Sequence, residues 1–166
     1  MTKKFLVAVD GSDHGWQALD MAASLAKLSD AELVVIHVVP YEPMSEGLKQ
    51  FAKAEGIPIE EESARYHAGR TLADSITSEA EIRATKHGLA RVTTQITEGN
   101  AANEIVATAK SEGVDMLFLG SRGLGEITGL LLGSVSHKVT SLAPCTCVIV
   151  KMRQQRLQAA FPQIPS

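Results

Sequence analysis

A chain of 166 residues with 45% hydrophobic side chains can bury one core without disulfide staples. A net charge of -3, with no basic block and few aromatics, supplies no electrostatic footprint for nucleic acid. No apolar run is long enough for a membrane span, and the opening MTKKFLVAVDGSD turns polar too early for a secretory leader, so a cytoplasmic protein without membrane insertion is expected.

In chain order, KFLVAVD (4–10) is a short continuous apolar run, as expected of a strand buried on both faces. Ala18, Leu19, Ala22, Leu25 and Ala26 then recur at helical spacing from His14 to Leu28, with Ser12 or Asp13 available as N-cap. ELVVIHVVP (32–40) repeats the buried-strand pattern and is closed by Pro40 and Pro43. Residues 41–61 carry no clear period. The acidic EEES at 60–63 suits the positive end of a helix dipole, and a long helix is predicted to end at Gly88. ARVTTQITEG (90–99) alternates as a half-exposed strand near a sheet edge. Asn100 caps the next helix and Gly113 stops it; VDMLFLG (114–120) is another buried run. Val135, Val139 and Leu142 predict a last helix stopped by Pro144, and TCVIVK (146–151) a fifth strand. Residues 152–166 follow as a tail too short for a further unit.

Strands alternating with helices imply a doubly wound α/β domain with a parallel sheet. In such sheets ligands collect beyond the carboxyl ends of the strands, here near Asp10, Val38, Val39, Gly99 and Gly120. The glycines are concentrated there too: GSRGLGEITGLLLGSVS (120–136) contains Gly120, Gly123, Gly125, Gly129 and Gly133. A phosphate loop of the G-x-x-x-x-G-K type is excluded, because the chain has no Gly-Lys pair. The dinucleotide fingerprint G-x-G-x-x-G fails on spacing at Gly123, Gly125 and Gly129 and on position, after the fourth strand rather than the first.

Gly120, Gly123, Gly133 and Ser134 together spell G-x2-G-x9-G-[ST]. With LVAVDGS, VVIHVVP, EGNAANEIVATAKSEGVDMLFLGSRGLG and LLLGSVSHKVTSLAPCTCVIVK in order, residues 3–151 resemble the ATP-binding branch of the universal stress protein family. The resemblance implies an open, Rossmann-like, five-stranded parallel sheet in the order 3-2-1-4-5, a domain over 1–151 and a tail over 152–166. It also implies ATP in the strand-end crevice, with a divalent cation such as Mg²⁺. Asp10 would face the adenine, with Ala8 and Val38 as adenine and ribose wall. Gly120 and Gly123 would let the backbone approach ribose and phosphates. Gly133, Ser134, Val135 and Ser136 would present amides and hydroxyls at a helix amino end. Ser121 and Gly125 complete the set. Arg122 either adds charge to the phosphates or points to solvent.

Taken alone, Asp10 is equally an N-cap or turn residue, and the glycines equally turns and a C-cap. His37, mid-strand, reads as a satisfied core histidine, and His137 as a residue near the helix start. Cys145 and Cys147, two apart in a strand, read as small buried hydrophobes. The histidines show no metal spacing, and no Ser-His-Asp or Cys-His order announces a nucleophile.

The resemblance further implies a homodimer through strand 146–151, an apolar edge that must be paired or covered. Leu157 and Phe161 of the tail are the alternative cover. The expected function is an ATP-binding, nucleotide-sensing regulator in stress adaptation, acting on a partner protein. The alternative is a slow ATP hydrolase, disfavoured because the loop lacks Lys and Gln to orient water and stabilise charge.

Overall fold

The computed structural model describes residues 2–40, 45–56, 60–123 and 132–152. In chain order its elements are β1 (Lys4–Ala8), α1 (Asp13–Ser29), β2 (Glu32–Pro40), α2 (Glu46–Ala54), α3 (Glu60–Lys86), β3 (Val92–Gly99), α4 (Ala101–Ser111), β4 (Met116–Gly120), α5 (Ser134–Leu142) and β5 (Thr146–Val150). All four ladders are parallel and the strand order is β3-β2-β1-β4-β5, as the resemblance implied.

The apolar runs form strands because both of their faces are covered. Phe5, Val7, Leu33, Val35 and Phe118 pack under α1 and α3, whereas Leu6, Val34, Ile36, Leu117 and Leu119 pack under α4 and α5. Phe5 and Phe118 meet across neighbouring strands with ring centroids 5.7 Å apart. Side chains alternate from one face to the other along a strand, so a strand of uninterrupted valine, leucine and isoleucine supplies two cores at once.

The four helices that the sequence predicted, α1, α3, α4 and α5, begin and end near the expected residues. Ser12 caps α1 by accepting from the Gly15 N–H at 3.1 Å, and Asn100 caps α4 by accepting from Asn103 N–H at 3.2 Å. Beyond α3, Gly88 adopts φ +77° and beyond α4, Gly113 adopts φ +60°, left-handed conformations that favour glycine. α3 lays Ala73, Ile76, Ala80 and Ala84 against α1 and the sheet, and the Arg83 guanidinium stacks 4.6 Å from the Trp16 ring.

One element was not legible. The described part of 41–61 includes the helix α2, whose apolar period is short, broken by Gly47 in its first turn and flanked by Pro43 and Pro58. Gly125, Gly129 and the tail residues Leu157 and Phe161 lie outside the described residues.

Two contacts lend themselves to measurement. A Cβ added at Gly120 would lie 2.7 Å from the His14 carbonyl carbon and 2.9 Å from its oxygen, so Gly120→Ala is expected to lower unfolding free energy in urea by about 1–3 kcal/mol. Unchanged stability would mean that α1 does not press on the end of β4. The Thr97 hydroxyl on β3 is buried with no hydrogen-bond partner among the described residues. Thr97→Val is therefore expected to raise stability by about 1 kcal/mol, and a loss would reveal a partner for that hydroxyl.

Candidate functional site

The site begins where β1 stops. The last rung between β1 and β2 is the Val9 N–H donating to Ile36 O at 3.0 Å, while β2 stays paired with β3 as far as Pro40 and Gly99. Parallel strands alternate the side to which their main-chain groups point, so the Val38 N–H and C=O face β1 just beyond its last rung. On the other side of β1, β4 runs on to Gly120. The parted strand ends leave a cavity of about 460 Å³, of a size with small-molecule sites, lined by residues of both faces of the sheet.

Ala8, Asp10, Val38, Gly120, Arg122, Gly123, Ser134, Val135 and Ser136 all line this cavity. The two carboxylate oxygens of Asp10 are divided. Oδ1 accepts from the Ser12 N–H at 3.0 Å and from the Ser12 hydroxyl at 2.5 Å, which holds Ser12 in place to cap α1. Oδ2 lies against Gly123, where an added Cβ would come within 2.5 Å of it. Asp10 is thus a turn residue through one oxygen and a cavity group through the other.

α5 opens on the cavity with its amino end. Its N-cap is Gly133, which has no side chain to accept from the first-turn amides. An α-helix cannot satisfy those amides itself, so they and the dipole favour an anion there. Three hydrogen bonds hold the helix start in place. The Gly133 N–H donates to Ser121 O at 2.7 Å, the Ser136 hydroxyl donates to Gly120 O at 2.7 Å, and the Ser121 N–H donates to Val150 O at 2.8 Å.

These bonds change the parts assigned to two residues. Ser136 spends its hydroxyl proton on the Gly120 carbonyl, which leaves its main-chain amide and an oxygen lone pair for the cavity. Ser121 is 3% exposed, and its hydroxyl pairs with His14 Nδ1 at 3.0 Å in the seam between α1 and the end of β4. Neither Ser121 nor Gly133 lines the cavity; both serve as its frame.

Sequence reasoning did not place several of the lining residues at the site, His37, Gly69 and Leu72 among them. His37 is the satisfied core histidine expected, 7% exposed and bonded through Nδ1 to Val9 O at 2.8 Å, yet it also lines the cavity. Gly69 and Leu72 close the wall from α3. A Cβ on Gly69 would meet Val39 Cγ1 at 3.1 Å, so its one signal in the sequence was an isolated glycine inside a helical stretch.

Other features carry less chemistry. Cys145 and Cys147 are half-buried free thiols packed against the α4 and α5 core, and burial pushes both above the ordinary thiol range, keeping them protonated. Among the described residues no cluster of His, Cys, Asp or Glu could hold a metal ion, and no helix is long and apolar enough to cross a membrane. A smaller hollow of about 180 Å³ lies near the amino ends of the strands. Its charges are already engaged: Lys27 donates to Gly88 O at 2.8 Å, and Arg91 donates to Asp30 Oδ1 at 2.8 Å.

The sequence pattern of the universal stress protein family matches residues 1–151. The universal stress protein YxiE of Bacillus subtilis is 34% identical, the match covering 91% of this chain and 100% of that protein. Among solved structures, a universal stress protein in complex with cAMP superposes with a TM-score of 0.66 at 26% identity, covering 90% of this chain and 97% of that one. The universal stress protein from Archaeoglobus fulgidus in complex with dAMP has the same fold, with a TM-score of 0.61 at 20% identity and 90% and 98% coverage. On the family pattern and on the identity to YxiE over nearly its whole length, the chain belongs to the universal stress protein family.

Proposed function

We propose that this chain binds an adenine nucleotide, ATP accompanied by a divalent cation such as Mg²⁺, and works as a dimeric nucleotide-sensing regulator in stress adaptation. The observation that carries this reading is the convergence on one cavity of the uncapped amino end of α5, the bare backbone of Gly120 and Gly123, and the Asp10 carboxylate. The relative in complex with cAMP supports a nucleotide as the class of ligand. The residues fit such a group. Val38 would offer main-chain donor and acceptor to the base, Asp10 Oδ2 would accept from a ribose hydroxyl or an amine, and the amides of Ser134, Val135 and Ser136 would hold the phosphates. Among the described residues no carboxylate cluster stands beside Asp10, and the cation would travel on the phosphates.

The charges of the described lining residues support binding rather than turnover. Arg122 is the only arginine or lysine among the described lining residues, and the loop sequence from Leu124 to Leu131 adds no Lys, Arg or Gln. Phosphoryl transfer needs a group that orients water and others that stabilise the transferred charge. ATP incubated with the protein is expected to remain intact by chromatography; turnover abolished in Gly133→Ala would establish the hydrolase instead.

Asp10→Asn tests the site with the least disturbance. The amide keeps one oxygen for Ser12 and replaces the other by a donor. Calorimetric affinity for Mg·ATP is expected to fall about 10–100-fold, the equivalent of one lost charged hydrogen bond, with the urea midpoint unchanged. Undiminished affinity would remove Asp10 from the site.

The dimer is proposed through β5, the half-buried strand at the open edge of the sheet. Val150 O accepts from Ser121 N–H, so alternation turns the main-chain groups of Cys147 and Ile149 outward. An edge of this kind pairs with its own copy. Val150 is 6% exposed and part of the core, so a charge there would report on folding rather than assembly. Ile149→Pro removes one outward donor while leaving the ladder to β4. Sedimentation is expected to show monomer for this variant and dimer for the parent; a dimeric variant would move the interface off β5.

A further inference from the structure

We propose that His37 is a specificity-determining residue of the cavity: its Nε2 accepts a hydrogen bond from the base and selects a 6-amino purine over a 6-oxo purine. The inference rests on the nucleotide reading above and assigns a role within that site. It starts from an exchanged hydrogen bond. Had β1 and β2 stayed paired for one more rung, Val9 O would accept from the Val38 N–H; instead it takes the imidazole of His37 at 2.8 Å. A carbonyl only accepts, so Nδ1 carries the proton and, in the neutral ring, Nε2 carries the lone pair. The same bond that fixes the tautomer also fixes the ring.

His37 is 7% exposed and lines the cavity, and its ring makes no second hydrogen bond among the described residues. A ring nitrogen held this way in a cavity wall is matched by a ligand donor and mismatched by an acceptor. Position assigns it to the base rather than the phosphates. Alternation from Val35 puts His37 on the sheet face covered by α1 and α3, whereas α5, with its anion-favouring amino end, covers the other. Val39 and Leu72, which line the same cavity, are apolar, which suits the flat face of a purine. An exocyclic amine opposite Nε2 completes a hydrogen bond; a carbonyl in its place sets two lone pairs against each other.

The experiment compares ATP with inosine triphosphate, which carries oxygen for the amino group at C6 and hydrogen on N1 and leaves ribose and phosphates unchanged; the His37 variant separates the contribution at C6 from that at N1. The parent protein is expected to bind ATP at least about tenfold more tightly by calorimetry, a difference typical of a site whose buried polar group is left unpaired by the wrong ligand. His37→Asn keeps a side-chain N–H where Nδ1 stood, so the bond to Val9 O and the melting temperature are retained. It has no counterpart of Nε2, and the affinity ratio is expected to fall at least about threefold, leaving only the discrimination that the Val38 main chain supplies. An unchanged ratio in this variant overturns the proposal, as does a parent protein that binds both nucleotides equally. A measurement on the parent itself guards against a variant that does not fold. In ¹⁵N-histidine-labelled protein, the His37 Nε2 resonance is expected to move upfield with ATP and to stay with inosine triphosphate. ATP binding without that movement overturns the proposal while leaving the nucleotide reading intact. Failure of both nucleotides to bind the parent overturns both.

Discussion

The end of β4 runs so close to the first turn of α1 that position 120 has no room for a β-carbon, and the geometry of the cavity depends on this approach. Once Gly120 lies against His14, Ser121 is buried beside the same turn and bonds its ring. The Ser121 carbonyl then receives the Gly133 amide, and the Gly120 carbonyl receives the Ser136 hydroxyl. Two ends of a long loop are thereby brought together from the strand side, whatever path the loop takes between them. The amino end of α5 is positioned by the same bonds. Its anion-favouring character comes from the helix, but its aim at the cavity comes from the seam.

The opposite wall depends on a strand that stops early. β1 leaves its partner after Ala8, and the resulting gap exposes main-chain groups of β2 that a longer strand would cover. Leaving them unpaired in a dry crevice would cost free energy, on the order of 1–3 kcal/mol for each buried group without a partner. On the β1 side of the gap the fold satisfies the Val9 carbonyl internally, through the bond from His37. The β2 groups face a cavity where a ligand or water can satisfy them. Crevice formation and ligand recognition are in this sense one consequence of unequal strand lengths around a topological switch point.

Charge sets a limit on what the cavity can do. Among the described residues its lining brings one carboxylate and one guanidinium into a largely apolar space, beside the dipole of α5. Dipoles and amides bind phosphates without supplying the cluster of charges that phosphoryl transfer demands. Half of the Asp10 carboxylate is committed to capping α1, so substitutions there act on both the helix and the ligand unless one oxygen is preserved.

How much was legible differs from residue to residue. Strand and helix order followed from apolar runs and period, because burial on two faces demands continuous valine and leucine, and caps such as Ser12 and Asn100 act through residues next to them in the chain. Those signals are local, and so the sequence alone determined the alternation of elements, the parallel sheet and the glycine-rich strand end. α2 escaped because nine residues with a glycine in the first turn are too few to establish a period. The double allegiance of Asp10, the seam role of Ser121, the use of the Ser136 proton and the presence of His37 in the cavity wall were decided by tertiary structure. Each depends on a partner at least 16 positions away whose approach is set by the packing of whole elements. Whether a buried polar group faces its core or a cavity is a property of where a neighbouring strand ends, and no pattern within its own strand records that.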